Sequence, residues 1–439
     1  MELLDRLLIF FEEYAAFIRF QFAERTVLSW ILFFFPVVVF LELPYYGAPL
    51  IMMPLLRLLG YPRDDTPEQE RFLAGNPSVS VVVAARNEEE VIASTIESLL
   101  STEYANLEVV VVDDSSTDRT YEIARRYADR GLIKLVRNSA TSGRSGRPVA
   151  SNLGLHVANG DFILSVDADT SFDRDIIRRM IGPFYDPEVG VVAGNIKVRN
   201  ADESVWTSLQ AAEYLVGIGL WKRWTDILGT TLQASGACGA FRREALKDAG
   251  AWSPETAEDA DISMKAHKLG WKVRFAPRAI AMTTAPATFS SLMRQRVRWE
   301  RGALRLYYHK HGDALLFWRY KFGPAFELTL QYLLSVVLSV MYAVYIVLMI
   351  AFRFKLLTFI LAACYVFYGL FSTVAVAVGV CFSERRRHEW WLIQYGVLFP
   401  FYRGLLRWAR LYGIVMETLR LKYRDPYLPD TAYDHMEWW

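Results

Sequence analysis

The sequence predicts an α/β domain with a largely parallel sheet, flanked along the chain by membrane-associated helices. Val-rich runs within residues 78–167 alternate with helical patterns, as in parallel sheets that are buried on both faces. Two stretches beyond residue 325 each have about the 20 apolar residues needed to cross a bilayer. The 439 residues are 53% hydrophobic, with 49 Lys+Arg against 48 Asp+Glu. This balanced charge argues neither for nor against nucleic acid, and no nucleic-acid partner is expected.

Residues 1–62 are predicted to form an amphipathic helix followed by a membrane hairpin. Residues 3–22 mix apolar and charged side chains at helical spacing, which is typical of a helix lying on a membrane surface. Residues 27–43 are almost wholly apolar, and residues 49–59 continue the apolar pattern after "PYYG". We therefore expect "PYYG" to lie between two short membrane helices.

Residues 323–439 are predicted to hold the C-terminal membrane helices and a short tail. Residues 326–351 and 357–382 are each apolar enough to span a bilayer, and only "FRFK" lies at their junction. Lys and Arg are concentrated near the helix ends, as in "SERRRHEW" at residues 383–390. This bias predicts that the α/β domain lies on the cytoplasmic side.

The last apolar segment, "WWLIQYGVLFPFYRGLLRWARLYGIV", carries three arginines and a proline near its middle. Arg403, Arg407 and Arg410 would have to face protein or water at membrane depth. Pro400 would break a helix there. The pattern favours a re-entrant hairpin or a channel-lining helix, and a single spanning helix is the alternative.

Residues 63–287 have the pattern of a cytosolic α/β domain. Val runs in "SVSVVVAARNEEE" and "LEVVVVDDSSTDRTYEIARRYADRG" are each followed by a helical pattern. This order predicts a right-handed parallel unit whose ligands lie beyond the strand ends. No GxGxxG follows the first run, which disfavours a dinucleotide site. The second run ends instead in Asp113 and Asp114.

A third run, "DFILSVDADT", ends in Asp167 and Asp169. Because side chains alternate along a strand, both carboxylates are expected on the same side. There they could hold a divalent cation against a nucleotide diphosphate. The alternative is a solvated turn with an Asp cap for the helix that follows.

Two later segments could contribute to the same site. In "ETAEDADISMKAHKLGW", Glu258, Asp259 and Asp261 precede a predicted helix. They are either catalytic carboxylates or residues that cap the helix and favour its N-terminal dipole. In "SGACGAFRREAL", the small residues Ser235 and Gly236 are typical of backbone that approaches a bulky ligand, although a tight packing turn has the same composition.

The order of "VSVVVAARNEE", "VVVVDDSSTD", "SVDADTSFDRD", "ETAEDADIS" and "RQRVRW" resembles the processive family 2 glycosyltransferases. These are the membrane synthases of cellulose, chitin, hyaluronan and poly-β-1,6-N-acetylglucosamine. The resemblance covers residues 78–302 and implies a cytosolic GT-A domain, the fold of nucleotide-diphospho-sugar transferases, fused to transmembrane and interfacial helices. "GNIKVRN" and "AAEYLVGIGLWKR" look most like the poly-N-acetylglucosamine synthases. Rhizobial-type hyaluronan and chitin synthases have Gly-Asp-Asp-Arg where residues 257–260 are Ala-Glu-Asp-Ala.

The resemblance implies roles for the acidic strand ends. Asp114, with Asp113 beside it, would hold the uracil or ribose of a UDP-sugar donor. Asp167 and Asp169 would coordinate Mg²⁺ or Mn²⁺ on the diphosphate. Asp259 would be the general base that takes the proton of the acceptor hydroxyl, inverting an α-linked donor to a β-glycoside. The other residues implied to bind the donor are Ala85, Arg86, Asn87, Glu88, Arg147, Ser235, Gly236 and Glu258.

"RQRVRWERG" lies in residues 288–322, which are predicted to be interfacial helices, and it matches the Gln-x-x-Arg-Trp motif of the resembled family. Arg298 would pair with diphosphate oxygens. Trp299 would stack on the terminal sugar of the growing glycan, and Gln295 would hydrogen-bond that sugar. The other arginines could instead contact lipid headgroups along an interfacial helix. These are Arg294, Arg296 and Arg301.

The resulting prediction is an inverting, processive enzyme of the plasma membrane, the bacterial inner membrane. It would polymerise a β-linked exopolysaccharide, poly-N-acetylglucosamine from UDP-N-acetylglucosamine, and pass it outward between its helices. Arg147 stands where many relatives have lysine, so the donor could differ. The open alternatives are another β-glycan synthase, an enzyme that transfers one sugar to a lipid, and a transporter or receptor that only binds nucleotide-sugar. No cyclic-dinucleotide module is expected after the last membrane segment, so regulation would need a small accessory membrane subunit.

Overall fold

A computed structural model describes residues 38–60, 66–138, 146–254, 257–316 and 320–419. The predicted amphipathic helix and most of the first hairpin helix, within residues 1–37, lie outside these ranges. Inside them, one mixed sheet carries helices on both faces, and long helices follow it along the chain.

The sheet consists of β1 (Val79–Ala85), β2 (Leu107–Asp114), β3 (Lys134–Asn138), β4 (Phe162–Asp167), β5 (Ser171–Phe172), β6 (Val189–Val198), β7 (Cys238–Arg242) and β8 (Lys272–Thr283). Their spatial order is β3-β2-β1-β4-β7-β6-β8-β5. β1 pairs in parallel with β2 and β4, and β2 pairs in parallel with β3. The three Val-rich runs therefore form the parallel unit that the sequence predicts. β7 runs antiparallel to β4 and β6, so the sheet as a whole is mixed.

The α-helices are α1 (Leu43–Leu58), α2 (Pro67–Ala74), α3 (Ile92–Leu100), α4 (Thr120–Ala128), α5 (Arg147–Val157), α6 (Ile176–Ile181), α7 (Val205–Tyr214), α8 (Lys222–Leu228), α9 (Arg243–Asp248), α10 (Glu258–Lys268), α11 (Phe289–Ala303), α12 (Phe322–Tyr332), α13 (Leu338–Phe352), α14 (Phe354–Phe382), α15 (Arg386–Glu389) and α16 (Phe399–Thr418). π-helical segments continue several of them. They are Val38–Glu42 before α1, Leu215–Trp221 between α7 and α8, Leu304–Lys310 after α11 and Leu333–Val337 between α12 and α13. The 3₁₀ segments are Gly182–Tyr185, Gly312–Leu315 and Trp390–Leu398.

Apolar side chains cover both faces of the sheet. Val81 and Val83 of β1 pack with Ile96 of α3 on one face. Val82, between them in sequence, packs with Val110 of β2 on the other face. This alternation has the period of two that a strand imposes. Because both faces are sealed, polar groups at the strand ends emerge only at the sheet edge.

Two helical stretches among the described residues are long and apolar enough to cross a membrane, judged by length and composition. They are Phe322–Phe352 and Phe354–Phe382, and only 22% of the most apolar window of each is buried. The sequence predicts both. Large apolar side chains on them, such as Val347 and Phe359, are exposed. A lipid environment would cover such side chains.

The structure differs from the sequence prediction at "PYYG". These residues lie inside the first turns of α1 and do not form a turn between two helices. Pro44 is near the start of α1, where a missing backbone N–H costs no helical hydrogen bond. A proline there starts a helix as readily as it ends one.

The last apolar segment divides where the sequence predicts a break. Its first part is the 3₁₀ segment Trp390–Leu398. This segment packs closely on α14 at Gly396, because an added Cβ there would lie 2.4 Å from Thr373 Cα. Pro400 is in the first turn of α16. Arg410 of α16 faces protein, as predicted, and donates to the Glu300 carboxylate at 2.8 and 2.9 Å. Arg407 lies 3.9 Å from the Glu42 carboxylate, whereas Arg403 is exposed.

Two arginines of α11 also face protein. Buried Arg296 donates to Glu213 of α7 at 2.6 Å, and buried Arg301 lies 3.3 Å from the carboxylate of Glu417 on α16. Arg294 is exposed. Contact with lipid headgroups, the alternative considered from the sequence, is therefore wrong for Arg296 and Arg301. Acidic partners on distant helices neutralise both side chains.

Candidate active site

The carboxyl ends of β2, β1 and β4 lie side by side at one edge of the sheet. Asp113 is opposite Ala85 in the register of β1 and β2, and Asp167 is opposite Ala84 in the register of β1 and β4. Asp169 follows in the turn after β4. The parallel pairing therefore brings the acidic ends of separate sequence runs to one place.

Asp113 and Asp114 differ in what holds them. Asp114 accepts hydrogen bonds from the Asn138 side chain and from the Gly146 backbone N–H, both at 2.6 Å. Asp113 is fully buried, and neither of its carboxylate oxygens accepts a hydrogen bond from a described residue. Arg137 lies 3.2 Å from one of those oxygens, which compensates charge without the alignment of a hydrogen bond. Asp113, more than Asp114, keeps acceptor capacity for a ligand.

The loop after β1 is fixed to the turn after β2. The Asn87 backbone N–H donates to the Ser116 hydroxyl at 3.0 Å, and the Glu88 N–H donates to the Thr120 hydroxyl at 2.7 Å. Asn87 has a φ of 55°, a left-handed conformation that Asn tolerates. Arg86 beside it is exposed. The predicted donor-pocket loop, residues 85–88, is thus held in one conformation beside Asp113.

Carboxylates crowd together in front of these strand ends. Burial, followed by the charges of Asp169 and Asp167, raises the pKa of Glu88 to about 7. Burial and the charge of Asp167 also raise the pKa of Asp169. Carboxylates that oppose each other's ionisation in this way fit a divalent cation as a shared counter-ion. No cluster of three His, Cys, Asp or Glu ligands occurs in the described ranges. Mg²⁺ commonly takes only one or two carboxylates and completes its shell with phosphate and water.

Arg147 connects the strand ends to the later acidic segment. Its guanidinium lies 2.8 Å from Asp167, forms an ion pair with Glu258, and donates to the Gly236 carbonyl at 2.5 Å. Burial lowers the pKa of Arg147, but the charges of Asp167 and Glu258 outweigh this and raise it. Burial raises the pKa of Glu258, although the positive charge of Arg147 opposes this rise. Arg147 therefore stays charged in the middle of the acidic group.

Asp259 lies in the first turn of α10 and is held by backbone. One oxygen accepts the Gly236 N–H and the other accepts the Ala260 N–H, both at 2.8 Å. Each oxygen keeps a lone pair that can accept a proton or a further hydrogen bond. The prediction that acidic residues precede the helix is off by one turn, because α10 begins at Glu258. Asp259 is fixed in direction without being neutralised.

Three polar residues near Asp259 are not among the predicted site residues, and they are Lys222, Gln233 and Tyr307. Lys222 donates to the Ser235 hydroxyl at 2.9 Å and to the Gln233 carbonyl at 3.2 Å. The Tyr307 hydroxyl donates to the Gln233 side chain. Burial lowers the pKa of Lys222 to about 8, although Asp259 opposes the shift. Lys222 and Tyr307 lie in helical stretches, where the sequence predicts that a polar residue faces solvent.

The Gln-x-x-Arg-Trp motif lies on α11, which Thr288 caps by accepting the Ser291 N–H. Gln295 Oε1 is buried and accepts no hydrogen bond from any described group. Trp299 is 41% exposed, with the Arg296 guanidinium 4.5 Å from its ring centroid. One indole face is thus covered. Arg298, between them, is half-buried.

The predicted site residues fall into two groups. Hydrogen bonds and ion pairs connect Asp167, Arg147, Glu258, Gly236 and Asp259 without a gap. The motif residues of α11 belong to a second group, and α11 is joined to α7 by the Arg296–Glu213 ion pair.

The family model described as glycosyltransferase like family 2 matches residues 77–302, just over half of the chain. The chain belongs to this family. Among curated proteins, a poly-β-1,6-N-acetyl-D-glucosamine synthase of Staphylococcus epidermidis is 34% identical over 226 residues, 51% of this chain and 54% of that protein. The enzyme of the same name from Staphylococcus aureus strain COL is 31% identical over the same length. The matched region spans about half the length of these relatives.

A solved structure resembles a larger part of the chain. It is a mannosyltransferase from Pyrobaculum calidifontis, in complex with GDP-Man and Mn²⁺. The TM-score is 0.56 at 20% identity, and the match covers 88% of this chain and 99% of that one. At this identity the likeness shows the fold. This family 2 glycosyltransferase therefore has a GT-A-like fold built on a mixed sheet.

Proposed function

We propose that the chain is an inverting, processive glycosyltransferase that builds poly-N-acetylglucosamine from UDP-N-acetylglucosamine. One observation carries the proposal: an unbroken set of contacts links the strand-end carboxylate Asp167, through Arg147 and Gly236, to Asp259. A donor diphosphate at one end of this set would meet a carboxylate base at the other. The names of the staphylococcal relatives support the choice of sugar.

The proposed donor site is the sheet edge. The Asp113 carboxylate oxygens, which accept no hydrogen bond from a described residue, suit a uracil N–H or a ribose hydroxyl, and residues 85–88 would line the same pocket. Asp167 and Asp169 would hold Mg²⁺ or Mn²⁺. When bound, such a cation would offset the negative charge of the departing diphosphate. The neighbour solved with GDP-Man and Mn²⁺ is consistent with this arrangement.

The proposed chemistry is a single displacement at the anomeric carbon. The acceptor oxygen would form a bond to that carbon while the bond from carbon to the diphosphate oxygen breaks, and UDP would leave. Asp259 would take the acceptor proton, since each of its oxygens keeps an unused lone pair. Arg147 would contribute positive charge next to the diphosphate once that group competes for its Asp167 contact.

The proposed acceptor site includes α11. The open face of Trp299 suits the apolar face of a sugar ring, and the unpaired Gln295 Oε1 suits a sugar hydroxyl. Arg298 would reach diphosphate oxygens. We place the sheet domain, residues 63–287, on the cytoplasmic side of the bacterial inner membrane, with the product leaving between α12, α13, α14 and their neighbours. Regulation of the enzyme would need an accessory membrane subunit.

UDP release by purified full-length protein tests the proposal. The protein, in detergent with Mg²⁺ or Mn²⁺, is offered UDP-N-acetylglucosamine, UDP-glucose or UDP-glucuronate, singly and in pairs, and the product is sized on a gel. We expect turnover with UDP-N-acetylglucosamine alone and a long product that a β-1,6-hexosaminidase degrades. EDTA should abolish turnover.

The other outcomes separate the alternatives. Turnover with a different donor alone would keep the mechanism and replace the polymer. One sugar transferred to a lipid would replace processive synthesis by a single-transfer reaction. Donor binding without UDP release under any condition would contradict the proposed chemistry.

A further inference from the structure

The charged groups of the site meet at residues 233–236, a short irregular segment that enters the turn before β7 and is called the 233–236 turn. Its Gly236 N–H donates to Asp259 at 2.8 Å, while its Gly236 carbonyl accepts from Arg147 at 2.5 Å. A single residue therefore sets the separation between the candidate base and the arginine nearest the strand-end carboxylates. Whatever holds this turn also holds that separation.

Lys222 contacts the same turn at residues that Arg147 does not touch. Its ammonium donates to the Gln233 carbonyl at 3.2 Å and to the Ser235 hydroxyl at 2.9 Å, on either side of Ala234. Lys222 is the first residue of α8 in the continuous helix 205–228, so its backbone is anchored independently of the turn. An ammonium placed on two acceptors restrains a short loop more firmly than a single neutral hydrogen bond does.

We propose that Lys222 is a positioning residue for glycosyl transfer, because its ammonium holds the 233–236 turn and thereby fixes Asp259 relative to Arg147. The proposal deepens the proposed function and rests on it for the catalytic role of Asp259. Lys222 acts through the turn and takes no proton from the acceptor.

The charge of Lys222 gives the proposal a distinctive pH signature. The groups facing it are Asp259 from α10 and Cys238 from β7, and Tyr307 reaches the same turn through Gln233. Burial raises the pKa values of Cys238, to about 12, and of Tyr307, so neither loses its proton near neutral pH. Lys222, with a pKa lowered to about 8, is the group of this set that changes charge in the mildly alkaline range.

Hydrogen exchange tests the hold on the turn without needing activity. Backbone amide exchange of the peptide covering residues 233–237 is measured by mass spectrometry in the full-length wild type, Lys222→Met and Lys222→Arg. We expect exchange at least about 10-fold faster in Lys222→Met and near wild type in Lys222→Arg. The control is Lys247→Met, because Lys247 is exposed on α9. Unchanged exchange in Lys222→Met would overturn the proposal.

UDP release tests the catalytic consequence. We expect Lys222→Met to lower kcat about 10–100-fold, with a change in the donor KM of less than about 3-fold. In the wild type kcat should fall as pH rises through about 8. In Lys222→Arg this fall should move up by more than about one pH unit, since arginine keeps its charge.

Hydrogen exchange and UDP release together distinguish a failure of the Lys222 proposal from a failure of the proposed function. If Lys222→Arg keeps the wild-type alkaline fall, or loses as much kcat as Lys222→Met, the positioning role of the Lys222 charge is overturned. If the wild type transfers no sugar from any donor, the proposed function fails, and the exchange experiment still decides whether Lys222 holds the turn.

Discussion

At the strand ends, burial and the charges of Asp167 and Asp169 raise the pKa of Glu88, whereas along α11 each buried arginine meets a carboxylate of another helix. Arg296 pairs with Glu213, and α16 supplies similar partners further along. The first region concentrates like charge and the second pairs opposite charge. Both are rich in ionisable residues, so composition does not distinguish them.

The difference indicates which region is built for a ligand. Like charges held close together lower the stability of the folded protein. Such clusters are typical of functional sites, where a bound ligand or cation offsets the repulsion. Paired charges inside a helical bundle instead fix how the helices pack. We therefore propose the strand ends as the binding site and the α11–α16 contact as the frame that holds Gln295 and Trp299.

Asp259→Asn should give the largest effect. We expect UDP release to fall about 10²–10⁴-fold, because the amide keeps the shape of the side chain but accepts no proton. Donor affinity, measured by equilibrium binding of the UDP-sugar, should stay within about 3-fold. The matched control is Asp129→Asn, at an exposed helix end. Substantial turnover in Asp259→Asn would assign the base to another residue and separate α10 from the chemistry.

Arg296→Met should give the next largest effect, on stability. Among the described residues, the change leaves the Tyr402 hydroxyl as the one hydrogen-bond donor to the Glu213 carboxylate, at a position where the wild-type Arg296 is buried. Breaking such a pair typically costs about 3–5 kcal/mol. We expect a clear fall in Tm in detergent.

The neighbouring exposed residue supplies the control. Arg294 lies on the same helix, and Arg294→Met should change stability by no more than about 0.5 kcal/mol. Equal Tm values for the two variants would contradict the view that α11 is fixed by paired charge.

Gly236→Ala sharpens the comparison inside the site itself. An added Cβ would lie 2.8 Å from Arg147 Nη1 and 3.2 Å from its Cζ. The guanidinium would have to move off the Gly236 carbonyl, and the loss of one charge-assisted hydrogen bond predicts a fall in kcat/KM of about 10-fold. Gly217→Ala is the control, since nothing lies within 4 Å of an added Cβ there. Full activity in Gly236→Ala would show that this contact is dispensable.

The sequence predicts the sheet half of the site well. A strand buried on both faces must end in polar residues at the sheet edge, so the Val runs locate Asp113 and Asp167 without any knowledge of tertiary contacts. The sequence at the strand end does not reveal which of the two adjacent carboxylates, Asp113 or Asp114, already accepts hydrogen bonds within the protein. The Asn138 side chain and the Gly146 N–H donate hydrogen bonds to Asp114, and these donors come from a different strand and loop.

The helical half is harder to predict, because its contacts join residues far apart in the chain. Arg147 and Glu258 are separated by 111 residues, and no sequence pattern indicates that Lys222 contacts Gln233 and Ser235. An arginine-rich amphipathic helix has the same pattern whether it faces lipid or a partner helix. Only the acidic residues of α7 and α16, brought together by the fold, decide the question for Arg296 and Arg301.

Glu88→Gln should give the smallest effect, and it tests whether crowding at the strand ends costs stability. The pKa of Glu88 rises from 4.5 to about 7 on folding, so the unfolded chain loses this proton before the folded chain does. Wild-type stability therefore falls as pH rises through this window and stays lowered above it. Glutamine has no charge to lose. With EDTA present, we expect the Tm of Glu88→Gln to exceed that of the wild type by about 2–4 °C at about pH 8, and by less at about pH 5. Glu122→Gln, on the exposed face of α4, is the control. A Tm difference that does not grow with pH would mean that Glu88 ionises freely, and that the strand ends are no more crowded than the paired helices.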